Sequence, residues 1–136
     1  MNDGTEPIAP NELLYRRISF ALYDPERDSA ASPRAFRPNE KDTTGLSLYR
    51  AKYHTPEEIA PAIAKHPYWV GILRAKDILR DGMSLVPRPM PPQFIGHAEI
   101  TDLTYECRRT RHAESLQMIL VEKLCKEILG PFDHHL

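Results

Sequence analysis

Four basic residues crowd one short stretch of the chain, Arg108, Arg109, Arg111 and His112. They stand where a helix is expected to begin. A helix N-terminus already carries partial positive charge and unsatisfied N–H groups, so cations there are unfavourable unless something negative joins them. An anion docked at that turn would use the guanidinium and amide donors together. Arg34 and Arg37 from a loop, with Arg16 and Arg17 from the first strand, can extend the same face. The competing reading pairs these arginines with Glu99, Asp102, Glu106 and Glu114 as individually weak surface ion pairs. Pairing is the expected state. The candidate anion-binding set is Arg108, Arg109, Arg111, His112, Arg34 and Arg37.

Other chemistries find less footing. The six histidines are His54, His66, His97, His112, His134 and His135, and the two cysteines are Cys107 and Cys125. Their spacings match neither a zinc finger nor a catalytic zinc pattern, so no metal is expected. His97, on a strand, reads as a core or sheet-edge residue rather than a base. There is no Gly-x-Ser-x-Gly elbow, and neither cysteine has a convincing histidine partner. The six glycines are scattered singly, which leaves no phosphate-cradling loop. Serine-hydrolase and nucleoside-triphosphatase readings fail on these grounds.

The elements that must position these residues are short. Residues 1–12 carry no periodicity and are expected to be a disordered tail, with one domain over 13–136. Leu13 to Phe20, rich in aromatic and branched side chains, reads as a strand. A long polar loop comes next over 24–44, in which Phe36 is expected to pin the chain to the core. Leu46 to Arg50 alternates as a strand does. Thr55-Pro56-Glu57-Glu58 is a helix start with capping-box chemistry, and Pro61 bends or shortens the helix expected over 56–65. Tyr68 to Leu73 reads as a buried strand, Ala75 to Asp81 as a helix stopped by Gly82, and Met83 to Val86 as a strand. Pro87 to Pro92 is a stiff connector, and Phe94 to Ile100 is a further strand. Leu116, Ile119, Leu120, Leu124 and Ile128 recur at helical spacing, which predicts a long C-terminal helix over about 111–129. The fold class is α+β: about five strands in a mixed or antiparallel sheet, with the long helix across one face.

Composition sets the bounds. A chain of 136 residues with 41% apolar and 27% charged residues fits one globular domain. Thirteen prolines, almost twice a usual share of about 5%, punctuate many short elements. A formal charge of −1 argues against non-specific nucleic-acid binding, which wants a strongly basic face. Two cysteines are too few for a disulfide framework and are expected to be buried and reduced. The acidic N-terminus has no signal-peptide pattern, and no apolar run reaches the ~18 residues of a membrane span. A cytoplasmic protein without membrane partners is the expectation.

Two resemblances add to this. Leu14-Tyr15-Arg16-Arg17, Phe36-Arg37-Pro38, Gly45 to Arg50 and Gly96-His97-Ala98 are similar to a pattern in short uncharacterised bacterial proteins, over residues 13–100. The order Arg17, Tyr49, Glu99 resembles that of ADP-ribosyltransferase-like folds, including RES-type NAD-degrading toxins. That likeness implies NAD as cofactor, bound by Arg17, with nicotinamide stacked on Tyr49 and a ribose hydroxyl held by Glu99. The Gly-Arg-Trp-like segment of RES proteins has only Phe36-Arg37 as its counterpart.

Three functions are compatible with these features. The first is a non-enzymatic interaction or accessory module of a bacterial defence or toxin-related system, with another protein as partner and no cofactor. The second is an NAD-using enzyme with Arg17, Tyr49 and Glu99 as its catalytic residues. The third binds a small phosphate-bearing ligand or nucleotide through the arginines. The first two separate on whether Arg17, Tyr49 and Glu99 line one cleft or lie apart with Tyr49 in the core.

Overall fold

Alternating side chains lay down the sheet. In the computed structural model, which describes residues 3–60 and 66–133, six strands lie in the order β4-β5-β2-β1-β3-β6. They are β1 (Leu13–Ser19), β2 (Leu46–Arg50), β3 (Tyr68–Arg74), β4 (Leu85–Pro87), β5 (His97–Ile100) and β6 (Glu127–Phe132). Every neighbouring pair is antiparallel. Leu14, Ile18, Leu46, Leu48, Leu73, Ala98 and Ile100 bury one face against Phe36, Leu116, Leu120 and Leu124. Tyr49, Ile59, Tyr68 and Val70 form a smaller core on the other face. The class is α+β, with few helices.

The helices are shorter than their sequence suggests. Helix α1 (Ala75–Arg80) ends before Gly82, whose φ of 85° supplies the left-handed turn. Helix α2 (Arg111–Ile119) is capped by the Thr110 hydroxyl, which accepts from the Ala113 amide at 3.1 Å. It widens into a π turn at Leu120–Leu124 and stops. The long helix expected to 129 is therefore cut short, and a sixth strand takes its end. Ile128 pairs with Gly71 of β3 instead of continuing the helical stripe. An outer strand can carry Pro131, because its missing N–H removes no bond on the open side. The capping box at Thr55 forms, yet it opens only one 3₁₀ turn, Pro56–Ile59, which ends as Ala60 leaves helical geometry with ψ of 140°; residues 61–65 of the expected helix lie outside the described residues. A second 3₁₀ turn, Pro33–Phe36, breaks the long loop, and Phe36 is fully buried beneath it.

The segment expected as a disordered tail is tied down from Gly4 to Glu12. Arg50, wholly buried, donates to Glu12 Oε1 and Oε2 at 2.9 and 2.8 Å. It also donates to the carbonyls of Gly4 at 3.3 Å and Glu6 at 3.1 Å. No helix among the described residues is long and apolar enough to cross a membrane.

One irregularity in the sheet matters for the site. β1 pairs with β3 through seven residues, Leu13 to Ser19, but with β2 only at Leu14↔Arg50 and Tyr15↔Tyr49. Beyond Tyr15 the two central strands part. Arg16 fills the gap: its guanidinium donates to the Ser47 carbonyl at 2.9 Å, replacing a ladder partner that β2 has lost. It donates also to the carbonyls of Ala35 at 2.8 Å and Arg37 at 3.3 Å. Backbone acceptors left bare there would be costly, so the arginine is structural as well as cationic.

Candidate functional site

The parted strands open onto a cavity of about 1060 Å³. Side chains two apart on a strand share a face, which puts Ser47 beside Tyr49 and His97 beside Glu99. Register completes the group, since Tyr49 lies opposite His97 and Ser47 opposite Glu99. Arg16 and Arg17 come from β1, while Arg34, Arg37, Asn39, Lys41 and Asp42 come from the loop after it. Phe20, His66, Tyr68 and Phe94 add aromatic surface. The size and the mixture of rings with a few convergent polar groups suit a small-molecule site.

Arg17, Tyr49 and Glu99 all line this one cavity. The Arg17 guanidinium sits 6.0 Å over the Tyr49 ring and donates to the Ile59 carbonyl at 2.7 Å. Tyr49 is held edge-on by His97 and tilted against Phe94, with centroids 5.7 and 5.1 Å away. Glu99, 5% exposed, accepts at Oε1 from Thr44 Oγ1 at 2.7 Å and from Arg88 Nε at 3.0 Å. Gly45 backs this carboxylate so closely that an added Cβ would stand 2.8 Å from Glu99 Cβ.

A polar network underlies the floor. His97 Nδ1 donates to the Arg88 carbonyl at 2.9 Å, and its Nε2 lies 3.0 Å from Ser47 Oγ. The Ser47 hydroxyl donates to Asp42 Oδ1 at 2.6 Å, and the Asn39 amide donates to Asp42 Oδ2 at 2.8 Å. Burial lowers the Arg16 guanidinium below its ordinary range, and the nearby Asp42 charge opposes that shift. His54, by contrast, is structural. Its Nε2 accepts from the Gly96 amide at 2.9 Å, and burial pushes its imidazole below its usual value.

The candidate anion set divides. Arg34 and Arg37 line the cavity, and Arg37 Nε is buried without a hydrogen-bond partner among the described residues. The residues at the start of α2 do not line it. Arg108 stacks 3.7 Å over the Tyr105 ring and donates to the Tyr105 carbonyl at 2.7 Å. Arg109 and Arg111 border a shallow surface with Glu114, Ser115 and Met118, and His112 is exposed. Of the acids expected to pair with them, Glu99 holds Arg88, and Asp102 accepts from the Ser84 amide at 2.6 Å. Both cysteines are free, but Cys107 is exposed rather than buried. His134 and His135 lie outside the described residues.

Sequence reasoning passed over Ser47, Asp42 and the polar role of His97. The signal was present in the alternation, because each of Ser47 and His97 stands two residues from a residue already singled out. Among the described residues, no three His, Cys, Asp or Glu side chains are grouped to hold a metal ion. Comparison of the chain with protein-family models, with curated proteins and with solved structures gives no match.

Proposed function

We propose that the chain is an NAD-using enzyme of the ADP-ribosyltransferase kind, which breaks the bond between nicotinamide and ribose and passes ADP-ribose to an acceptor. The observation that carries this reading is the convergence of Arg17, Tyr49 and Glu99 on one cavity. Three strands supply them, and two of those strands part where the cavity opens.

The chemistry of the lining supports it. The nicotinamide of NAD is a planar cation, and the Tyr49 face already carries a planar cation, the Arg17 guanidinium at 6.0 Å. Nicotinamide takes that place as Arg17 turns to the phosphates. Arg16, Arg34, Arg37 and Lys41 supply further positive charge for a pyrophosphate, with Arg37 Nε as a buried donor lacking a partner among the described residues. The stacked Phe20 and His66 rings, 4.9 Å apart, offer an aromatic wall for a second base. Glu99 holds the ribose: Thr44 and Arg88 occupy Oε1, leaving Oε2 without a partner among the described residues.

The test is direct. Incubation with NAD should release nicotinamide, and Glu99→Gln should suppress release by about 100-fold or more while the melting temperature holds. A chain that neither binds NAD in calorimetry nor releases nicotinamide overturns the reading and leaves the non-enzymatic accessory module in first place.

A further inference from the structure

We infer that Ser47 and His97 form a proton relay that activates a hydroxyl acceptor, water or an alcohol, for attack on the ribose carbon. The inference rests on the NAD reading above and adds to it the class of acceptor and the residues that take its proton.

Donor counting carries the argument. A backbone carbonyl only accepts, so the hydrogen between His97 Nδ1 and the Arg88 oxygen, 2.9 Å apart, belongs to the imidazole. His97 Nε2 then faces Ser47 Oγ at 3.0 Å. The serine has one hydrogen and two neighbours that can accept it, Nε2 and the Asp42 carboxylate at 2.6 Å. A further proton has one open place in this group, the Nε2 lone pair. Placed on Nε2, it is donated to Ser47 Oγ, whose own hydrogen rests on Asp42. The relay is one proton short of saturation.

Access runs in the same sense. Asp42 and His97 are 1% and 3% exposed, whereas Ser47 between them is only partly buried. All three line the cavity, and Ser47 lies opposite Glu99 in the strand register. The serine oxygen is therefore the point at which a ligand hydroxyl meets the relay. The carbonyl of Arg88 fixes the imidazole tautomer from behind, as an orienting group should.

Atoms and charge balance in the step. The glycosidic bond from the ribose carbon to nicotinamide breaks, and its electron pair leaves on the nicotinamide nitrogen, which becomes neutral. The acceptor oxygen forms the new bond to that carbon. Its proton passes to Ser47 Oγ as the serine hydrogen passes to His97 Nε2, so the positive charge lost from the pyridinium reappears on the imidazole.

Azide separates this role from a merely structural one, because it attacks without a proton to lose. NAD binding, melting temperature and nicotinamide release should be measured for wild type, Ser47→Ala and His97→Gln, each with and without sodium azide. Expected is unchanged NAD affinity, release in water slowed by about 100-fold or more in both variants, and recovery with azide as azido-ADP-ribose forms. The two variants sit on different strands, so either one that folds is sufficient. Release at the wild-type rate, or slow release that azide does not restore, overturns the relay while leaving NAD chemistry in place. A wild-type chain without NAD turnover overturns the underlying reading first, and the relay with it.

Discussion

Replacing Arg50 with methionine tests the architecture at its most concentrated point. The substitution keeps an unbranched apolar stem and removes every donor. The two bonds to Glu12, at 2.9 and 2.8 Å, are lost, as are those to the carbonyls of Gly4 and Glu6. Glu12 is left with Lys52 at 3.9 Å as its remaining cation. Breaking one side of a buried ion pair costs about 3–5 kcal/mol. A domain holds roughly 5–15 kcal/mol in all, so the loss is a large fraction. At this chain length about 1 kcal/mol moves the melting midpoint by ~3–5 °C, which gives an expected fall of about 9–25 °C. Circular dichroism would read the midpoint, and amide exchange over residues 4–12 would read release of the segment. Arg50→Lys keeps the charge but not the fork and should fall between the two.

Acid provides an independent check on the same clamp. The Glu6 carboxyl is held down from 4.5 to about 2, first by the Tyr53 hydroxyl and then by Lys52. Burial raises the Glu12 carboxyl, but the Arg50 bonds, the Ala9 amide and the charges of Arg50 and Lys52 together outweigh it and leave it lowered. Folded-state values below the unfolded ones give stability that is present above pH 4.5 and lost as pH falls towards 2. Protection of residues 4–12 should fade across that window before the sheet melts. An Arg50→Met protein that melts within about 2 °C of wild type, with residues 4–12 still protected, would refute this reasoning.

Two further outcomes are expected. Leu120→Ala should cost about 2–5 kcal/mol, because the side chain is fully buried against the sheet, and an unchanged denaturation midpoint would count against that core. At pH 8 one thiol per native chain should alkylate quickly: Cys107 is exposed, whereas burial pushes the Cys125 thiol up to about 11. Equal labelling of both in the native protein would contradict the placement of Cys125.

Much of the sheet was legible in the chain itself. β1, β2 and β3 show up through alternation and β-branched or aromatic residues, and Gly82 marks the end of α1 by its need for positive φ. What failed was set by tertiary contact. Leu116 to Ile128 keep helical spacing, yet the chain turns at Cys125 and Ile128 pairs with Gly71, a partner that local pattern cannot reveal. Residues 4–12 lack periodicity because their order comes from Arg50, far along the chain. The candidate site divides in the same way. The order Arg17, Tyr49, Glu99 was readable through resemblance, while Ser47 and His97 become interesting only when register sets them face to face with those residues. The basic start of α2 drew attention by composition but stands apart from the cavity lining.

The outermost strands of the sheet carry a consequence for how the protein behaves in concentrated solution. β4 ends in Pro87 and β6 contains Pro131, so neither margin presents an unbroken row of N–H donors. An incoming strand from another molecule finds a gap in the ladder on either side, which discourages end-on polymerisation into filaments. Shortening the chain ahead of residue 127 would remove that guard. β3 would then become the margin, with Tyr68, Val70 and Ile72 along it and no proline between them. Such a shortened protein should form β-rich aggregates where the full chain stays dispersed.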